Sequence, residues 1–161
     1  KLEKIISLKI ESKAIEADNL FGKWNASVFY IAKKKCLIFV NSKTFFTVVI
    51  PKFSITELKN IYKLFIKNLE SQLIYEGIEI NPDMLKNKIG KLTFHSTDND
   101  RKINGIINYN ISKFDYMKYD YEVYNSIVIR KITQKLNYTP FKQLNWKIPK
   151  EMMIEMIKTS I

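Results

Sequence analysis

The chain has 161 residues, enough for one domain with its own core, and 46% are hydrophobic, with 10 Phe and 9 Tyr, which argues against a disordered chain. No apolar run approaches the roughly 20 residues of a membrane span, and no charged-then-apolar leader opens the sequence, whose first residue is Lys rather than Met. The formal charge of +11 raises a nucleic-acid reading, while the single Cys36 leaves no internal disulfide and fits a reducing, cytoplasmic compartment.

Ile5 to Lys9 reads as a strand and Glu11 to Asp18 as a short helix, followed by a break at Asn19 and Gly22. From Trp24 to Pro51 three apolar strands are punctuated by two polar turns, Lys33-Lys34-Lys35 and Asn41-Ser42-Lys43, which is the pattern of a β-meander. In the first strand Trp24, Ala26, Val28 and Tyr30 share one face, with Asn25, Ser27, Phe29 and Ile31 on the other. The second is apolar on both faces, Cys36, Ile38 and Val40 against Leu37 and Phe39, and so belongs at the centre of a sheet covered on both sides. The third, Phe45 to Ile50, stops at Pro51, which cannot donate to a ladder.

Ser54-Ile55-Thr56-Glu57 forms a capping box and predicts a helix to about Tyr75, closed by Gly77. Lys59, Lys63 and Lys67 recur every four residues and stack three ammonium groups on its exposed side. Asn81-Pro82 opens a short helix ending at Gly90, and Leu92 to His95 reads as a strand. From Arg101 an apolar stripe at helical spacing runs to Leu136, with a kink between Asp115 and Asp120; the β-branched Ile127-Val128-Ile129 leaves a strand open there. Pro140 breaks the chain and Pro149 starts a last amphipathic helix. No repeat or linker divides residues 1–161, so the expectation is a single α+β domain: an antiparallel meander sheet of four to five strands with two or three packed helices.

Three candidate sites follow. His95, Asp98, Asp100 and Arg101 gather the sole histidine, two carboxylates and one of the two arginines at a strand-to-helix junction. Such a set can do acid–base chemistry or contact an anion, whereas Asp98 and Asp100 serve equally well as helix caps. Lys33, Lys34 and Lys35 beside Phe29, Tyr30 and Phe39 suit nucleic-acid contact, or are a solvated turn over core aromatics. The tyrosines from Tyr109 to Tyr124 suit a protein partner. One Cys and one His cannot make a tetrahedral metal set, and the four dispersed glycines make no phosphate loop, so no metal and no cofactor are expected. Cys36, inside an apolar strand, reads as a small buried hydrophobe.

Three segments resemble the bacterial family catalogued as domain of unknown function 6933. They are Trp24, the Lys33 to Lys35 turn, Cys36 to Asn41 and Thr44; then Asp100-Arg101-Lys102-Ile103-Asn104-Gly105-Ile106-Ile107-Asn108; then Leu136-Asn137-Tyr138-Thr139-Pro140 ahead of Pro149. The match departs at Asp100, where the family carries Asn, and at His95 to Asp98, where it carries a basic run. The resemblance implies no reaction; it singles out Trp24, Asn41, Thr44, Arg101, Gly105 and Asn108.

The functional expectation is a small basic, non-enzymatic binding or regulatory protein of the kind carried by phages or plasmids, for example an inhibitor of a host defence system. It would dock on nucleic acid or a nucleoprotein complex through Lys33, Lys34, Lys35, Lys59, Lys63, Lys67 and Arg101. All but two of the 27 basic residues are lysine, so AT-rich coding accounts for part of that charge. The alternatives are a small RNase-like toxin using His95, Asp98, Asp100 and Arg101, and a protein–protein module using the tyrosine face. A membrane partner is not expected.

Overall fold

A computed structural model describes residues 21–90 and 100–159. The segments read as Ile5–Lys9, Glu11–Asp18 and Leu92–His95 lie outside the described residues, and so do His95 and Asp98.

Strands β1 (Trp24–Ile31), β2 (Lys34–Asn41) and β3 (Thr47–Pro51) form an antiparallel sheet in the order β1-β2-β3. Trp24 faces Asn41 and Ile31 faces Lys34 in the first ladder, and Cys36 faces Pro51 in the second. Among the described residues the sheet thus has three strands, fewer than the four or five expected, because the additional ones were assigned to segments outside that range. The third strand begins at Thr47 rather than Phe45, since Phe45 takes φ 59° and cannot lie in an extended ladder.

The helices exceed the expected two or three. The Ser54 capping box is present, Ser54 Oγ accepting the Glu57 N–H at 3.2 Å and Glu57 Oε2 accepting the Ser54 N–H at 2.7 Å. It starts only a single turn, α1 (Ile55–Leu58), because the N–H groups of Lys59 and Asn60 return to the Thr56 and Glu57 carbonyls and close it. A new helix, α2 (Ile61–Tyr75), follows, then α3 (Pro82–Ile89) with Asn81 as its cap. The Arg101 stripe also divides, into α4 (Arg101–Met117) and α5 (Ser126–Asn137). A 3-10 turn over Lys118–Asp120 intervenes, and Asn125 Oδ1 accepts the Val128 N–H at 2.9 Å to start α5. Ile127, Val128 and Ile129 are helical, and α6 (Pro149–Lys158) closes the described chain.

Because both faces of β2 are apolar, the sheet is buried on both sides. Leu37 and Phe39 with Val48 and Ile50 pack under α2, α3 and α6, through Phe65, Leu69, Leu73, Leu85 and Met153. Cys36, Ile38 and Val40 with Val49 pack under α4 and α5, through Ile103, Ile107, Phe114, Ile132 and Leu136. The period-2 reading of β1 holds: Trp24, Ala26 and Val28 belong to the first core, Phe29 and Ile31 to the second.

Candidate functional site

Helix α4 begins at Arg101 because the Asp100 carboxylate accepts the N–H groups of Lys102 at 2.9 Å and Ile103 at 3.3 Å. Asp100 is therefore engaged as a helix cap. The first turns of α4 face the segment that follows α5, Thr139 to Gln143, across a cleft of about 430 Å³. Thr139 ends α5 by donating its hydroxyl to the Lys135 carbonyl at 3.0 Å, and Pro140 prevents the helix from continuing. Residues 141–147 then fold back on themselves, Trp146 N–H donating to the Phe141 carbonyl and Phe141 N–H to that of Lys147.

The chemistry of the cleft is one-sided. Among the described residues that line it, Arg101, Lys102 and Lys142 carry charge and none is acidic. All three are exposed, whereas Ile106 and Phe141 are buried beneath the same cleft. The described lining thus sets cations beside apolar surface, with the Asp100 carboxylate at the start of α4.

Phe45 braces both walls. It is fully buried in the left-handed region, where a bulky side chain costs of order 1–3 kcal/mol. The Lys102 ammonium lies 5.0 Å from the centre of its ring, and the Phe141 ring meets it edge-on at 5.5 Å. Phe141 in turn meets Tyr109 of α4 edge-on at 5.7 Å. The left-handed turn is held by Asn41, whose Oδ1 accepts from the N–H groups of Lys43 and Thr44 and from the Thr44 hydroxyl, while its Nδ2 donates to the Phe21 carbonyl at 2.7 Å. Asn41 and Thr44 thus shape the turn that carries Phe45. Sequence reading missed Phe45 because nothing in an apolar run marks the one residue that turns left-handed.

The remaining basic residues are dispersed. The β1–β2 tip is Ala32-Lys33, and Lys34 and Lys35 already belong to β2. Lys52, one residue beyond the Cys36–Pro51 pair, comes beside Lys34, and its ammonium holds the Lys34 pKa below the ordinary lysine value. This cluster is at the opposite end of β2 from the Asn41 turn and hence from Lys102. Lys63 and Lys67 are exposed on α2, across the sheet from α4, and Lys59 sits at the break before α2. The structure brings Arg101 together with Lys102 and Lys142, not with the hairpin or α2 lysines.

Of the tyrosines, Tyr116 and Tyr119 are exposed, whereas the Tyr121 ring is covered by the ammonium groups of Lys131 and Lys135. Cys36 is buried and its thiol is pushed up by that burial, so it is not a poised nucleophile. Trp24 packs edge-on against Phe65 at 5.0 Å. Asn108 is exposed on α4. Among the described residues no three His, Cys, Asp or Glu side chains cluster to hold a metal ion, and no helix is long and apolar enough to cross a membrane.

A second polar centre, buried, was not read from the sequence. Glu76 at the end of α2 accepts from Gln72 Nε2 and from Asn137 Nδ2, both at 2.7 Å, and its carboxyl is pushed up to about 7 by burial, against the opposing effects of these two hydrogen bonds and the Lys150 charge. It joins α2, α5 and β3 at one point, since Asn137 also bonds Thr47.

The family model for a domain of unknown function, DUF6933, matches residues 1–152. No curated protein and no solved structure matches the chain.

Proposed function

The chain belongs to the DUF6933 family, and from that premise we propose that it is a small basic, non-enzymatic binding or regulatory protein that docks on nucleic acid or a nucleic-acid-bound complex. The observation that carries this reading is the cleft: three cationic residues from two segments about forty residues apart line it, with no acidic side chain among its described lining residues. Phosphates are recognised by gathered cations rather than by net charge, and an arginine with two lysines supplies both a planar fork and mobile point charges. The Lys34–Lys52 cluster at the other end of the sheet offers a second phosphate contact, so that a strand held at both ends would cross the β1–α4 side of the molecule. The test is a gel shift with mixed RNA and DNA oligonucleotides at low and high salt. An intact, shifted, salt-sensitive complex that weakens in the double variant Arg101→Glu, Lys142→Glu is expected; no shift at low salt sinks the reading.

A protein–protein module is the second reading, favoured by the apolar surface between α4 and α5. Tyr116 is 74% exposed, Tyr119 82%, Val123 63% and Ile127 65%, a grouping that a monomer's surface does not require. Its signature is partner capture that is insensitive to salt and lost in Tyr119→Ser, Ile127→Ser.

A further inference from the structure

We infer that the cleft takes one unpaired nucleotide, so that the ligand is single-stranded nucleic acid rather than duplex; the inference rests on the nucleic-acid reading above. The argument starts from Gly105. It lies five residues into α4, where glycine is costly relative to alanine, yet a Cβ there would meet nothing within 4 Å among the described residues. Its φ is not in the left-handed region either. Neither packing against the described residues nor backbone geometry asks for glycine, whereas a bare helix surface lining the cleft would let a ligand approach the backbone closely.

The size and walls of the cleft then select the ligand. The cleft is an open depression of about 430 Å³, room for a single base with its phosphate. A duplex keeps its bases stacked inside and would present only phosphates to such a mouth, leaving the apolar floor unused. An unpaired nucleotide can place its phosphate among Arg101, Lys102 and Lys142 and its base over Gly105 against Ile106 and the Tyr109 edge. Gln143 at the rim carries both a donor and an acceptor for a base edge. An extended acidic peptide would make no use of the apolar surface of Ile106 and Phe141.

The test measures fluorescence anisotropy of the purified chain with a labelled mixed-sequence single strand and with the same sequence closed as a hairpin duplex, both at low salt. The single strand is expected to bind about tenfold more tightly than the duplex. Gly105→Leu, a helix-favouring exchange that fills the cleft, should cost the single strand about tenfold while the melting temperature holds or rises. Gly105→Ala, whose methyl stands in open space, repeats the test with a smaller, several-fold loss if Leu disturbs the fold. Equal affinity for strand and duplex, or undiminished strand binding by both Gly105 variants, overturns the inference and leaves the basic-surface reading standing. Failure to bind either nucleic acid overturns both, and competition by polyglutamate as effective as that of the oligonucleotide would reassign the cleft to acidic peptides.

Discussion

Asn137 pairs with Thr47 as a neighbouring strand would: its Oδ1 accepts the Thr47 N–H at 2.8 Å and its Nδ2 donates to the Thr47 carbonyl at 3.1 Å. A side-chain amide at the last position of α5 thereby satisfies both main-chain groups of the first residue of β3, on the side away from β2. The same Nδ2 reaches Glu76, and the Thr47 hydroxyl accepts from Asn110 Nδ2 at 2.9 Å, so α2, α4, α5 and β3 meet in one buried set of polar groups.

Removing that amide should therefore be expensive. Asn137→Ala orphans the buried N–H and C=O of Thr47 and deletes one of two donors to Glu76, a combined cost of about 3–5 kcal/mol. Urea titration checks it, and a midpoint within about 1 kcal/mol of the parent would show that the sheet edge finds other partners. Thr47→Val leaves the main-chain pair intact and removes only the hydroxyl, with an expected loss of about 1–2 kcal/mol.

Glu76 makes stability depend on pH in the direction opposite to a salt-bridged carboxylate. Its folded pKa, about 7, lies above the ordinary value of 4.5 because burial disfavours the charge. Below pH 4.5 both states are protonated and the group has no effect. Between 4.5 and 7 the unfolded chain releases the proton while the native chain keeps it, so stability falls as pH rises, by about 3 kcal/mol in all, and is flat above. Glu76→Gln keeps an acceptor for Gln72 and Asn137 without the charge. Relative to the parent, it should gain stability from pH 4.5 to about 7, and a difference independent of pH would show that Glu76 titrates normally.

Phe45 links the turn chemistry to the cleft. Phe45→Ala keeps the left-handed backbone without the ring that fills the core, at an expected cost of about 3–5 kcal/mol. Phe45→Leu retains most of the volume but offers Lys102 no aromatic face. It should leave the fold within about 2 kcal/mol of the parent and loosen Lys102, read as weaker oligonucleotide binding at low salt.

What the sequence disclosed was local. The alternation in β1, the two apolar faces of β2 and the Asn81-Pro82 helix start depend on neighbours a few residues away, and each is in place. The Ser54 helix was read through Asn60 because the apolar stripe continues across it; the closing bonds of Lys59 and Asn60 have no compositional mark. The cleft forms only because α4 and residues 139–143 face each other, which is a tertiary relationship. Family resemblance marks Arg101 and Gly105, but the places of Phe45 and Lys142, and the contact of Lys102 with Phe45, follow from tertiary packing. Glu76 was hidden for the same reason: a glutamate before Gly77 reads as an exposed helix end until Asn137 is found over it.

In the β1–β2 hairpin, stability and the proposed binding role of Lys33 make opposite demands on a two-residue turn. With Ile31 paired to Lys34, the loop is Ala32-Lys33, and both residues have positive φ, 46° and 65°. That turn favours Asn at the first position and Gly at the second, because a Cβ strains the left-handed backbone. Ala32→Asn with Lys33→Gly should raise stability by about 1 kcal/mol, seen as a melting temperature several degrees higher. Lysine at such a strained position makes sense if its charge is used, so the stabilised variant should also bind oligonucleotides more weakly and with a salt slope shallower by about one counterion. Unchanged affinity and slope in the stabilised protein would remove Lys33 from the binding surface and leave Lys34, Lys52 and the cleft to carry it.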